Sequence, residues 1–266
     1  MGRVLITGAS MGIGFEMAKV FSREGVDLVL VSRNEKALRE IAEELECKEG
    51  IEVKIIAKDL SLKHAAEEIF RELEEEGIEV DELVNNAGFG ALGAIVNLEN
   101  ELQLDMVEVN ISAVTELTRL FLPGMLQRDR GGVLNVGSVA GFQPGPNMAV
   151  YFATKAYVLS FTEALAEEVR GSGVRVTCLA PGPTRTGFGK RSGMGEIRIF
   201  EMWMMNADKV ARAGVEGFRR GDVIIIPSIT NKIGTFLIRL LPRFAVRRFV
   251  YWLQARRRTD GIGEGG

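Results

Sequence analysis

Tyr151 and Lys155 stand four residues apart, and Ser138 lies thirteen residues upstream of Tyr151. On a helix that spacing places the tyrosine and lysine on one face, a turn apart. A free phenol, with a pKa of about 10, is a poor proton donor or acceptor near neutral pH. An ammonium within about 4–6 Å favours the phenolate. At an effective dielectric of about 20, a unit charge at about 4 Å contributes about 4 kcal/mol, a ceiling of roughly three pKa units. A serine hydroxyl beside the pair would hydrogen-bond a substrate oxygen while its charge changes. The expected chemistry is proton transfer to or from oxygen, with Tyr151 as acid/base and its pKa lowered by Lys155. The same spacing also arises on ordinary helices, so the elements that hold the pair decide its meaning.

Those elements alternate from the first residues. Apolar, β-branched runs at Val4–Thr7, Leu28–Ser32, Val53–Ala57, Leu83–Asn86, Val133–Ser138, Val174–Leu179 and Val223–Pro227 read as seven strands. Between them, helical periodicity is expected over Ile13–Arg23, Glu35–Cys47, Leu62–Glu76, Glu99–Gln127, Ala149–Gly171 and Ala207–Arg219. Pro123 is expected to kink or end the long fourth helix. Near-continuous apolar strands are covered on both faces, and regular strand–helix alternation implies right-handed crossovers. The fold class expected is α/β: one doubly wound, Rossmann-like parallel sheet of about seven strands with helices on both faces. The domain division expected is a catalytic body over 1–227, with a substrate lid at about 184–206, and an extension over 228–266.

With 33 Lys/Arg against 36 Asp/Glu, the net charge of −3 gives no argument for nucleic acid. Cys47 and Cys178 are too few for a disulfide framework, and Cys178 reads as a buried small hydrophobe. His64 is the one histidine, so neither a histidine-based triad nor a metal site is expected. No leader precedes the first strand and no run is long and charge-free enough to span a bilayer, which points to a reduced, cytoplasmic protein.

Between the first strand and first helix lies Thr7-Gly8-Ala9-Ser10-Met11-Gly12-Ile13-Gly14. Glycines there let the chain turn tightly and let a pyrophosphate approach the helix N-terminus. This turn, with Asp59, Asn85-Asn86-Ala87-Gly88, Asn110, Ser138, Tyr151-x-x-x-Lys155 and Pro181-Gly182, follows the order and approximate spacing of the short-chain dehydrogenase/reductase family. The resemblance covers roughly residues 3–227. It implies a nicotinamide dinucleotide held by Gly8, Ser10, Met11, Gly12, Ile13 and Gly14. Asp59, with Leu60, would meet the adenine edge, and Asn86, Ala87 and Gly88 would line the adenosine. Pro181, Gly182, Thr184 and Thr186 would hold the carboxamide, although the family pattern carries Val or Ile at position 184.

The end of the second strand chooses between the two cofactors. An Asp there would bind both ribose hydroxyls and repel a 2′-phosphate. Ser32-Arg33-Asn34 stands instead, and Arg33 can grip a phosphate bidentately while Ser32 adds a donor. NADP(H) is therefore expected over NAD(H), although Met11 stands where many phosphate-selective relatives carry a basic residue. The resemblance further implies that Lys155 holds the nicotinamide ribose and that Asn110 keeps a water linking Lys155 with solvent.

The substrate expected is an apolar carbonyl compound or secondary alcohol, with fatty acyl, steroid-like, retinoid-like and small keto compounds all open. Phe89, Phe142, Met148 and the Met/aromatic segment 194–205 would form the wall, and Arg185, Arg191 and Arg198 are the arginines near it. Residues 223–266 carry eight Lys/Arg and two acids, +6, against −9 for the rest. Ile229–Arg258 holds no acid and reads as basic amphipathic helices broken near Pro242. Two roles stay open for this tail: packing against the acidic body or a sister subunit, and peripheral contact with an anionic membrane. Three function classes follow: an NADP(H)-dependent carbonyl reductase or alcohol dehydrogenase, a lipid or acyl-chain keto reductase at a membrane surface, and a catalytically silent NADP-binding protein. The family resemblance implies a homodimer or homotetramer.

Overall fold

The computed structural model describes residues 2–187 and 204–259. Its strands are β1 (Arg3–Thr7), β2 (Asp27–Ser32), β3 (Val53–Ala57), β4 (Glu82–Asn85), β5 (Gly131–Val136), β6 (Val174–Leu179), β7 (Thr184–Arg185), β8 (Met205–Asn206) and β9 (Ile224–Ile225). Its α-helices are α1 (Gly12–Arg23), α2 (Glu35–Glu49), α3 (Ala65–Glu75), α4 (Asn100–Val107), α5 (Ala113–Gln127), α6 (Ala149–Glu168), α7 (Ala207–Arg220), α8 (Ile229–Leu240) and α9 (Arg243–Thr259).

Seven strands form one parallel sheet in the order β3-β2-β1-β4-β5-β6-β9. The expected Rossmann-like fold is what the chain adopts. Both faces of the sheet are dry because alternate residues of each strand feed separate cores. Val4, Ile6, Leu28 and Leu30 pack under α1, α2 and α7 through Phe21, Leu38, Leu45 and Phe218. Leu5, Val29, Val31 and Leu83 pack on the other face under α3, α5 and α6 through Ile69, Leu73, Leu117, Phe121 and Leu165. The strand order reverses between β1 and β4, the place where such sheets open a crevice at their carboxyl ends.

Several boundaries differ from expectation, each for a local reason. Helix α3 begins at Ala65 rather than Leu62, because His64 sits at φ 65, a left-handed backbone that cannot continue a helix. The long helix expected over Glu99–Gln127 is divided by a π turn, Glu108–Ser112. Pro123 does not end it, since α5 runs on to Gln127. The last strand of the sheet shrinks to Ile224–Ile225, and a short parallel ribbon, β7 with β8, was not anticipated. The tail forms two helices that break at Pro242, as the sequence pattern suggests.

Candidate active site

The glycine turn is shaped by what surrounds it. Gly8 and Gly12 have φ of 64 and 61, values a side chain resists. A Cβ on Gly8 would also lie 2.9 Å from both Ala87 Cα and Asn86 Nδ2, and one on Gly14 would overlap Asn86 Nδ2. The Asn86 amide donates to the carbonyls of Thr7 (2.8 Å) and Gly8 (3.1 Å). In return, the Thr7 hydroxyl accepts the backbone N–H groups of Asn86 (3.0 Å) and Ala87 (2.9 Å). The loops after β1 and β4 are thereby sewn together at the switch point. Met11, the N-cap of α1, brings no capping oxygen, so the first amides of α1 face outward from a turn without side chains at Gly12 and Gly14. A diphosphate fits such a cradle, where outward N–H groups and the helix dipole favour negative charge. Ile13 turns its side chain to the core and can offer only backbone.

At the outer end of the crevice, Ser32 Oγ accepts the Asn34 N–H at 3.1 Å, leaving its own proton to give. The Asn34 side chain caps α2 by accepting the Ala37 N–H at 3.1 Å, so its side chain is committed to the fold. Arg33 is 69% exposed and reaches across to Asp59, Nη1 to Oδ2 at 3.5 Å. Burial raises the Asp59 pKa, but the N–H and hydroxyl of Ser61, helped by Arg33, outweigh it and hold the carboxylate below its ordinary range. Arg33, Ser32 and Asp59 thus border one rim. Leu60 is buried among Val29, Val31 and Ile69, which leaves only its backbone for a ligand.

The pair expected to carry the chemistry does share one face of α6. Lys155 is 5% exposed, and its Nζ lies 6.0 Å from the Tyr151 ring centre and donates to the Val136 carbonyl at 2.8 Å. Burial pulls the Lys155 pKa down to about 8, with the neighbouring Cys178 sulfur pulling the other way. Burial likewise pushes the half-buried Tyr151 up to about 12, against a hydrogen bond with the Ser138 side chain that lowers it. The lowering of Tyr151 by Lys155 expected from spacing has no counterpart in this geometry: the ammonium is turned toward the Val136 carbonyl, and burial sets the direction for the phenol. At neutral pH Tyr151 carries its proton. Ser138 caps a short 3-10 turn, Val139–Phe142, accepting the Ala140 N–H at 3.1 Å.

Asn110 is fully buried in the π turn. Its Oδ1 accepts the Phe89 N–H (3.1 Å), while its Nδ2 donates to the Phe89 carbonyl (2.9 Å) and the Thr154 hydroxyl (3.0 Å). Thr154 in turn donates to the Tyr151 carbonyl at 2.8 Å. A Cβ on Gly88 would sit 3.0 Å from Asn110 Oδ1 and 3.4 Å from Lys155 Nζ, so glycine there lets the β4 loop approach the lysine.

The Pro181 loop closes the inner end. The Pro181 carbonyl accepts the Val139 N–H at 3.0 Å, the Thr184 hydroxyl donates to the Gly182 carbonyl at 2.9 Å, and Thr186 Cγ2 lies 3.2 Å from where a Gly12 Cβ would be. The loop expected to hold the carboxamide therefore touches the glycine turn expected to hold the pyrophosphate. Ala91, Ile95, Leu98, Met148 and Tyr151 line a small cavity. Met148, Phe152 and Ala140 pack with Val246 and Val250 of α9, so the tail supports Met148 from behind that lining. Of the expected lid over 184–206, residues 188–203 lie outside the described residues, and with them Met194, Ile197, Ile199, Phe200, Met202, Trp203, Arg191 and Arg198.

Some positioning residues went unnoticed in the sequence. Asn85, read in the sequence only as the first residue of the Asn85-Asn86-Ala87-Gly88 motif, is buried and donates to Thr118 (3.1 Å) and Asn135 (2.9 Å), and Asn135 donates to Thr162 (3.0 Å). This ladder links α5, the sheet and α6 beneath the site. An asparagine inside the otherwise apolar β5 run was the available signal. Thr154 and Asn231, whose amide abuts Gly182, carried no recognisable pattern.

Comparison with known proteins agrees with this geometry. A family model described as short chain dehydrogenase matches residues 3–196. An uncharacterized oxidoreductase of Staphylococcus epidermidis is 34% identical over 85% of this chain and 94% of its own length. The very-long-chain 3-oxoacyl-CoA reductase of Rattus norvegicus is 34% identical over 66% of this chain, which spans 57% of that protein. Among solved structures, a short-chain dehydrogenase from Sphingobium yanoikuyae in complex with NADPH is 34% identical, with TM-score 0.80, over 86% of this chain and 89% of that one. A short chain dehydrogenase/reductase from Burkholderia phymatum in complex with NAD is 26% identical, with TM-score 0.78, over 89% of this chain and 92% of that one.

Proposed function

The chain belongs to the short-chain dehydrogenase/reductase family of nicotinamide dinucleotide-binding oxidoreductases, and on that premise we propose that it interconverts a carbonyl group and a secondary alcohol with NADP(H). The observation that carries the reading is the meeting of the loops after β1, β4 and β6, of which the β4 loop reaches Lys155 at Gly88 and the β6 loop bonds Val139 next to Ser138. When bound, the nicotinamide supplies or accepts the hydride. Gly8, Gly12 and Gly14 open the phosphate turn, and Ser10 and Met11 complete it. Asp59 and the Asn86–Gly88 loop border the adenosine, and Lys155 holds the nicotinamide ribose. Ser32 and Arg33 select the 2′-phosphate, for which the exposed guanidinium is already aimed at that rim.

In reduction, Tyr151 gives its proton to the substrate oxygen, and the high pKa imposed by burial keeps that proton available throughout the neutral range. Ser138, which bonds the phenol, stabilises the developing charge on the same oxygen. Lys155, near Asn110 across Gly88, takes up the proton deficit through a water seated by Asn110. The apolar lining favours an apolar substrate. A second reading, an acyl-chain keto reductase, is favoured by the likeness to the rat 3-oxoacyl-CoA reductase. The catalytic body over 1–227 acts as a homodimer or homotetramer in the cytoplasm. The test is a panel of ketones and 3-oxoacyl thioesters, following loss of the reduced nicotinamide with NADPH and with NADH. Consumption of neither cofactor by any carbonyl class refutes the reading.

A further inference from the structure

The inward and outward faces of the tail have opposite character. Helix α8 turns Asn231, Thr235 and Ile238 toward the body, an i, i+4, i+7 stripe, and α9 buries Val246 and Val250. The opposite stripe of α8, Ile229, Ile233, Phe236, Leu237 and Leu240, is more than half exposed at every position. Beyond the break, Phe244, Phe249 and Trp252 are also exposed, and the last two stack with ring centres 6.2 Å apart. So much contiguous apolar surface is unusual on a soluble chain and marks an interaction face.

Its charge identifies the partner. Lys232, Arg239, Arg243, Arg247 and Arg248 border these residues, and among the described residues none of the five pairs with an acid. Val246 and Val250 hold α9 down through apolar contacts, and Arg239 lies over the Phe142 ring of the body, 5.6 Å from its centre, while Lys232, Arg243, Arg247 and Arg248 are exposed. A second copy placed symmetrically on this face would bring five cations against five, a juxtaposition that costs several kcal/mol. An anionic lipid surface takes both halves of the face: apolar groups enter the acyl boundary, and the cations meet headgroups at about 1 kcal/mol each. No described helix is long and apolar enough to cross a membrane, so the contact lies in the interface plane.

We propose that α8 and α9 form a peripheral membrane-binding face for anionic bilayers. Val246 and Val250 of α9 and Ile238 of α8 pack in one cluster with Met148 and Tyr151, two residues that also line the small cavity. The helices that carry the face therefore back onto part of the cavity lining. Adsorption needs no turnover, so its failure is distinguishable from failure of the proposed reaction.

The full-length protein is sedimented with vesicles of phosphatidylcholine alone and with added phosphatidylglycerol, at low and high salt. Binding is expected with the anionic vesicles and is expected to fall with salt. Arg243→Gln and Arg247→Gln each weaken it about fivefold, and Phe236→Ser with Leu240→Ser weakens it at least about tenfold. These side chains are exposed, so far-UV circular dichroism and melting temperature stay unchanged. Wild-type protein left in the supernatant with anionic vesicles overturns the proposal. So does a lipid-free dimer that Phe236→Ser with Leu240→Ser dissociates, because a second copy then occupies the face.

Discussion

Replacing Lys155 by methionine tests whether the site stores electrostatic strain. The ammonium is buried, and its pKa falls from an ordinary 10.5 to about 8. The folded state therefore binds fewer protons than the unfolded chain between those two values, and stability rises with pH across that window. Below pH 8 the penalty for burying the charge is complete, about 3 kcal/mol at pH 7, and by pH 10 it has dropped below about 1 kcal/mol. Methionine has no such term. It forfeits the bond to the Val136 carbonyl, a cost of about 1–3 kcal/mol that does not vary with pH. The stability of wild type minus that of Lys155→Met should therefore shift by about 2.5 kcal/mol in favour of wild type between pH 7 and pH 10. Tyr151 and Cys178, pushed up to about 12, keep their protons in the folded state across this range. Removing Lys155 takes away a charge that lowers the thiol, so their contributions cancel in the difference. Urea unfolding of both at pH 7, 8, 9 and 10 supplies the difference directly. A difference that stays flat over these four values refutes the idea that burial sets the charge state of Lys155.

Three further outcomes are expected. Tyr151→Phe removes the proton donor and should lower kcat by about 10²–10⁴-fold while leaving the dissociation constant for NADPH nearly unchanged; retention of most activity would falsify the assignment. Arg33→Ala should lower kcat/KM with NADPH by about ten- to a hundredfold and leave NADH nearly untouched, and equal losses with both cofactors would reject phosphate selection at this rim. Asn110→Ala strands the Phe89 N–H and carbonyl in a buried turn and should cost roughly 3 kcal/mol in urea unfolding. A loss below about 1 kcal/mol would mean that the loop after β4 repacks without it.

The alternation of apolar runs with amphipathic stretches was enough to read seven strands, their parallel pairing and most helix limits, because burial on both faces leaves a local signature. The glycine turn and the Tyr151–Lys155 spacing were legible for the same reason, since each is set by backbone geometry within a few residues. Contacts between distant segments left at most one out-of-pattern residue, Asn135 in the apolar β5 run. The Asn85–Asn135–Thr162 ladder, the bond from Thr154 to Asn110 and the seating of Val246 and Val250 beside Met148 depend on which strands and helices become neighbours. Most instructive is the charge state of the reactive pair: spacing predicted a phenol lowered by its lysine, whereas the solvent excluded by the packed fold raises the phenol and lowers the amine. Which residues could react is thus a property of the chain order. Their proton affinities were decided only once tertiary packing set how much water each group loses.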